Sequence, residues 1–248
     1  MPSLPKTRTA GLCQRLLQTI PSPCIVCGIL SNSVLSLCAE CEANLPWSWH
    51  GCNRCGEELT AGVSNTQSCA RCLLVAPPFS SCTALFRYQS PIDSLLSGFK
   101  FKARFDAGYV LSCLLAEKIS LHYADSIAPD LLLAVPLHPM RLRQRGFNQA
   151  LEIARVVSRK CKIPLSKKAI AKVRNTVAQT ELHSARSRKK NLKDAFAVTD
   201  TLVPGKVKSV AIIDDVVTTM ATVAAVSREL QRRGVRQIDV WCLARANR

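Results

Sequence analysis

Eight of the thirteen cysteines in this 248-residue chain fall into four C-x-x-C pairs: Cys24/Cys27, Cys38/Cys41, Cys52/Cys55 and Cys69/Cys72. A C-x-x-C turn presents two thiolates on one side of a knuckle, where backbone amides support the sulfur charge. Two such knuckles complete a tetrahedral zinc site. Gaps of 10, 10 and 13 residues separate the pairs, and Gly28 and Gly56 directly follow the second cysteine of a pair. The knuckle backbone often needs a positive φ there. Sequential pairing (24, 27, 38, 41 and 52, 55, 69, 72) is favoured over an interleaved one. Four thiolates leave zinc no open position, so both sites are structural. A disulfide framework is opposed by the regular pairing and by the single, apolar settings of Cys13, Cys82, Cys113, Cys161 and Cys242, which suit small buried hydrophobes.

A second group of residues able to do chemistry is Asp214-Asp215-Val216-Val217-Thr218-Thr219-Met220-Ala221-Thr222, after the apolar run Val210–Ile213. Two carboxylates at a strand end suit the vicinal hydroxyls of a ribose, or Mg²⁺ through water. The Thr-rich turn offers N–H groups, hydroxyls and a helix dipole to a phosphate. Taken alone, two acids before such a turn also describe an ordinary helix N-cap.

The elements that must position these groups are legible around them. Cys82–Tyr88 reads as a strand. Pro91 opens a helical turn with Ile92, Leu95, Leu96 and Phe99 at helical spacing, and Ala107–Tyr123 reads as a longer helix. Short apolar runs follow at Leu131–Val135, Ala169–Val173, Val210–Ile213 and Ile238–Leu243, separated by helix-like segments. Such alternation predicts an α/β fold with a mostly parallel sheet flanked by helices, which binds ligands at the carboxyl ends of its strands. The expected organisation is a tail or short helix over 1–22, a small double zinc ribbon with all-cysteine sites over 23–76 and the α/β domain over 80–246.

The strand-end loop resembles the phosphoribosyl-pyrophosphate (PRPP) loop of type I phosphoribosyltransferases. Val135-Pro136-Leu137-His138-Pro139, Arg145-Gly146-Phe147-Asn148-Gln149, Arg174-x-Thr176-x-x-Gln179-x-x-Leu182, Asn191-x-x-x-Ala195-Phe196 and Val240-Trp241-Cys242-Leu243-Ala244-Arg245 resemble the ComF family. Its members are competence-associated, phosphoribosyltransferase-like proteins with an N-terminal zinc ribbon. The resemblance implies that Asp214 and Asp215 hold the ribose hydroxyls of PRPP, and that Val217, Thr218, Thr219, Met220, Ala221 and Thr222 wrap its 5′-phosphate. It further implies that Pro136, Leu137 and His138 form the pyrophosphate loop, that 174–190 is the closing loop, and that Mg²⁺ bridges pyrophosphate and ribose. Arg145 and Arg174 would stabilise the leaving pyrophosphate in pentosyl-group transfer. The alternative is a non-catalytic, PRPP-binding adaptor of the DNA-uptake machinery.

Two residues depart from the family pattern. Met220 replaces a glycine, so a positive φ there would add strain of ~1–2 kcal/mol, enough to weaken PRPP binding about tenfold. Thr218 replaces the aspartate of purine-salvage members and cannot act as an acid or base near neutral pH, which leaves the acceptor open.

The formal charge is +17, and residues 141–193 hold 16 Lys or Arg against Glu152 and Glu181. Together with the family's link to DNA uptake, this segment is expected to contact single-stranded DNA through phosphates, since few aromatics lie in it. His50, His122 and His183 belong to no constellation. No stretch approaches ~18 apolar residues, so no membrane insertion is expected. The segment Leu12–Ile20 is broken by Cys13, Gln14, Arg15, Gln18 and Thr19 and fails as a secretory core, which points to a cytoplasmic protein.

Overall fold

The structure, a computed structural model, describes residues 21–59, 68–124, 126–174, 194–199 and 205–246. The chain divides into two compact units, with the boundary between Leu45 and Pro46.

In the N-terminal unit, β1 (Ser22–Pro23) pairs antiparallel with β2 (Leu30–Ser31), and a five-residue helix, α1 (Ala39–Ala43), follows. Gly28 closes the intervening turn at φ +75, and its N–H donates to the Cys24 carbonyl. Cys38 caps α1 and its sulfur accepts from the Cys41 N–H, so the helix start aims two thiols at the Cys24/Cys27 knuckle.

The larger unit opens with the same plan. Gly56 stands at φ +66 after Cys55, and Cys69 precedes α2 (Ala70–Leu74). This second knuckle runs along β3 (Ser81–Arg87). Ser48 N–H donates to Leu85 O, Arg87 N–H to Pro46 O, and Cys82 N–H to Asn53 O. Segment 46–53 thereby covers backbone groups that an edge strand would otherwise expose.

Five strands form an all-parallel sheet in the order β3, β9 (Gln237–Arg245), β8 (Ser209–Val217), β4 (Leu131–Ala134), β5 (Leu165–Ser166). The central strands are near-continuous apolar runs because helices lie between successive strands and cover the sheet. Among these helices α3 (Ile92–Lys102) and α4 (Phe105–His122) join β3 to β4, α5 (Pro139–Arg145) and α6 (Gln149–Cys161) join β4 to β5, and α7 (Ala221–Arg232) joins β8 to β9. α3 and α4 approach closely at Gly108, where an added Cβ would lie 2.6 Å from the Phe99 ring. Lys118 of α4 donates to the carbonyls of Ser48 and Ala84, fastening the helix to the covered edge. Cys82, Cys113 and Cys242 are buried and Cys161 is half-buried, while Cys13 lies outside the described residues.

One strand expectation is corrected. The run Ala169–Val173 does not enter the main sheet. Its core, β6 (Ile170–Lys172), pairs antiparallel with β7 (Phe196–Val198) as a separate two-stranded ribbon. The fifth place goes to Leu165–Ser166, with Leu132 opposite Leu165. After α6 only two residues can pair with β4 before the bends at Lys167-Lys168 turn the chain away, and Ser166 Oγ accepts from Ala169 N–H in that turn. Apolar periodicity identifies a strand but not its partner.

Candidate functional site

The eight paired thiols assemble into two sequential sets, Cys24/27/38/41 and Cys52/55/69/72, with the sulfurs of each set within 4.8 Å of one another. In the first, Cys38 N–H donates to Cys24 Sγ at 3.5 Å; in the second, Cys69 N–H donates to Cys52 Sγ at 3.2 Å. Burial opposes a thiolate at Cys24, but the amides of Cys27, Cys38 and Val26 outweigh it and lower the thiol to about 6. In the second set burial and the Cys52 charge push Cys55 up to about 12. One sulfur of each set thus takes the charge and repels charge on its neighbours, a conflict that a divalent cation resolves. The donor set fits two structural zinc ions.

The second constellation lies at the carboxyl end of β8. That strand extends further than its apolar run, pairing with β9 out to Val217 opposite Arg245, so Asp214 and Asp215 are strand residues. Successive side chains leave a strand on opposite sides, and the two carboxylates acquire different surroundings. Asp215 is 9% exposed and forms an ion pair with Lys100 Nζ at 3.0 Å. Burial works against its charge, yet Lys100 prevails and holds the carboxyl below the usual range. Asp214 is driven well above that range, first by burial and then by the Asp215 charge. The two carboxyls are thus pushed in opposite directions, Asp215 towards its charged form and Asp214 away from it.

Cations surround this pair. Arg145, at the end of α5, donates to Gln149 Oε1 at 3.0 Å, and Gln149 is buried against the Lys100 carbonyl. Burial lowers the Arg145 pKa, against attraction from Asp215. Lys172 of β6 is lowered to about 8 by burial and by repulsion from Arg141, with attraction to Asp214 opposing. Asn148 caps α6 through Leu151 N–H and donates to the Val135 carbonyl at 3.0 Å, which fixes the Arg145–Gln149 motif beside the end of β4. Pro136, Leu137 and His138 follow β4 directly. His138 serves as the N-cap of α5, its Nδ1 accepting from Met140 N–H at 3.3 Å.

Thr218 and Thr219 lead to Met220, which caps α7 at φ +63 and ψ 2, a left-handed backbone at a non-glycine residue. The Met220 side chain packs against Cys52, Cys55 and Cys72. Arg245 makes a second tie between the loop and the knuckle. It is 1% exposed; Nε donates to Cys55 O at 3.0 Å, and its guanidinium reaches the carbonyls of Val217 and Thr218 and, at 3.6 Å, Glu57. The strand-end loop is therefore founded partly on the second cysteine cluster.

The structure brings Asp214, Asp215 and Arg145 together, with 217–222 continuing from the same strand. Arg174 is the last described residue before 175–193, so most of the expected closing loop and the basic cluster Arg186–Lys190 lie outside the described residues. Sequence reasoning missed Lys100 and gave no role at this site to Lys172, Gln149 or Arg245. The only signal was the alternation Phe99-Lys100-Phe101-Lys102, a cationic helix end ahead of an αL cap at Ala103.

Comparison with known proteins shows what the chain is similar to. The family described as "Double zinc ribbon domain" matches residues 16–73. The chain is 33% identical to "Competence protein F" of Haemophilus influenzae, covering 90% of this chain and 96% of that one. It is 34% identical to "DNA utilization protein YhgH" of Escherichia coli K12, covering 92% and 98%. A purine phosphoribosyltransferase from Pyrococcus horikoshii aligns over 54% of this chain and 70% of its own, at 21% identity and a TM-score of 0.31. The fold and the cysteine sets define an α/β protein with a parallel sheet that carries a double zinc ribbon. The chain belongs to the ComF family, which includes competence protein F and YhgH. Among the described residues no helix is long and apolar enough to cross a membrane.

Proposed function

We propose that the carboxyl end of β8 binds PRPP with Mg²⁺. The observation that carries this reading is the unequal carboxylate pair Asp214–Asp215, ringed by Lys100, Arg145 and Lys172 and continuing into the N-terminus of α7. Asp215 and Asp214 accept from the ribose hydroxyls. Backbone N–H groups from Val217 to Thr222 hold the 5′-phosphate where the α7 dipole favours an anion. Pro136, Leu137 and His138, with Arg145 and Arg174, face the pyrophosphate. Hard carboxylate oxygens suit Mg²⁺, which supplies charge neutralisation at the pyrophosphate.

Relatives of this chain are named for competence and for DNA utilisation, and we assign this chain a role of the same kind. The basic segment 141–193 is the part of the chain we assign to single-stranded DNA. Thr218, exposed and without acid or base capacity, favours a second reading in which PRPP is bound as a signal and no pentosyl group is transferred. Calorimetry with PRPP, with and without Mg²⁺, tests the common core of both readings. Binding that requires Mg²⁺ and is abolished in Asp215→Asn supports it, and unchanged binding in that variant refutes it. A pyrophosphate-release screen over bases, amines and DNA then separates transferase from adaptor.

A further inference from the structure

We propose that Phe101, with the Arg145 guanidinium against its ring, is a stacking platform for one unpaired base of single-stranded DNA beside the Asp214–Asp215 pair. The proposal rests on the DNA contact assigned above, and it adds to that contact a base-stacking element from outside the basic segment. Phe99 and Phe101 lie two positions apart on α3, so helical geometry sends them to opposite sides. Phe99 is 1% exposed and packs under Phe105 and Phe147, whereas Phe101 is 71% exposed. It is the most exposed aromatic among the described residues, and no core requirement accounts for it.

Its position is fixed with respect to the site. The preceding residue, Lys100, reaches Asp215 at 3.0 Å, and the Lys100 carbonyl accepts from the buried Gln149. Arg145 lies with its guanidinium carbon 5.3 Å from the centre of the Phe101 ring while also donating to Gln149. One network therefore holds the ring, the arginine and the carboxylate. Phe105 and Phe147, 4.7 Å apart, lie against Phe99 at the start of α4, and Phe105 is 49% exposed.

Charge selects the occupant. Lys102 ends the same helix, and α5 carries Arg141 and Arg143 besides Arg145. An isolated aromatic on a cationic rim matches a polyanion with planar faces, in which phosphates meet the charges and one base meets the ring. The expectation of little stacking came from the scarcity of aromatics within 141–193. Tertiary structure imports Phe101 from a different segment.

The test compares oligothymidylate with an abasic strand of equal length, on full-length zinc-loaded protein at fixed salt. Wild type should bind the oligothymidylate about tenfold more tightly. Phe101→Ala should lose that preference while keeping its affinity for the abasic strand, and Phe101→Trp should keep the preference, with indole emission quenched by the oligothymidylate. Equal wild-type affinity for both strands, or an intact preference in Phe101→Ala, overturns the platform while phosphate-borne DNA binding stands. Binding of neither strand overturns the DNA reading as well. Unchanged PRPP calorimetry in that case shows that the failure is not one of the phosphoribosyl site.

Discussion

Replacing Met220 by alanine and by glycine separates two energies that meet at one residue. The side chain packs on Cys52, Cys55 and Cys72 while the backbone stands at φ +63. A fully buried methionine truncated to alanine costs about 2–5 kcal/mol, and Met220 is only half-buried, so Met220→Ala should destabilise by about 1–2 kcal/mol. Alanine keeps the Cβ and hence the left-handed strain of ~1–2 kcal/mol, which glycine relieves. Glycine in turn loses about 0.5–1 kcal/mol through the greater freedom of its unfolded chain. Met220→Gly should therefore be more stable than Met220→Ala by about 0.5–1 kcal/mol, an inversion of the helical order. Urea denaturation of the zinc-loaded proteins measures both differences at constant m. After chelation the Met220→Ala penalty should fall towards zero, because the packing partner is the zinc knuckle. Greater stability of alanine than glycine would refute the left-handed cap. Alanine equal to wild type would refute the packing.

Arg245→Met should destabilise by about 3–5 kcal/mol, since it leaves the buried Cys55 carbonyl and the part-buried Thr218 carbonyl without this donor, while Val217 O keeps the Ala246 N–H; a loss under about 1 kcal/mol in urea would contradict this. Metal analysis should find one zinc for each of the two cysteine sets, and chelation should weaken PRPP binding through the Cys55–Arg245–Val217 tie; undiminished affinity in zinc-free protein would show that the loop stands alone. Lys172, lowered to about 8, is half-deprotonated at that pH, and a pyrophosphate anion favours its charged form, so binding takes up a proton above about pH 8 and affinity falls as pH rises. Calorimetry in buffers of different ionisation enthalpy detects that proton, and Lys172→Met should abolish the uptake.

Local chemistry was legible in the sequence wherever residue type and spacing act over a few positions. The four C-x-x-C pairs announced two thiol sets because a knuckle is a local turn, and Gly28 and Gly56 marked its positive φ. The run Val210–Ile213 and the acids after it announced a buried strand with carboxylates at its end, since a parallel strand covered on both faces must be apolar throughout. The phosphate-loop pattern, with Met220 where the family has glycine, marked the one loop position at which a positive φ would carry strain, and the backbone stands there at φ +63. Partnership over long separations was decided only by tertiary structure. Nothing near Lys100 says that its ammonium will meet Asp215, and nothing near Phe101 says that Arg145 will cover its ring. Ile170–Lys172 had the composition of a sheet strand and went to a separate two-stranded ribbon with Phe196–Val198, because α6 delivers Leu165–Ser166 to the β4 edge first. Arg245 lay beyond the expected strand Ile238–Leu243, at the end of a motif quoted for its family resemblance, yet its guanidinium joins β9 to a cysteine knuckle nearly two hundred residues earlier. Contacts of this kind depend on which surfaces the sheet order brings together, and that order is fixed by the packing of the whole domain.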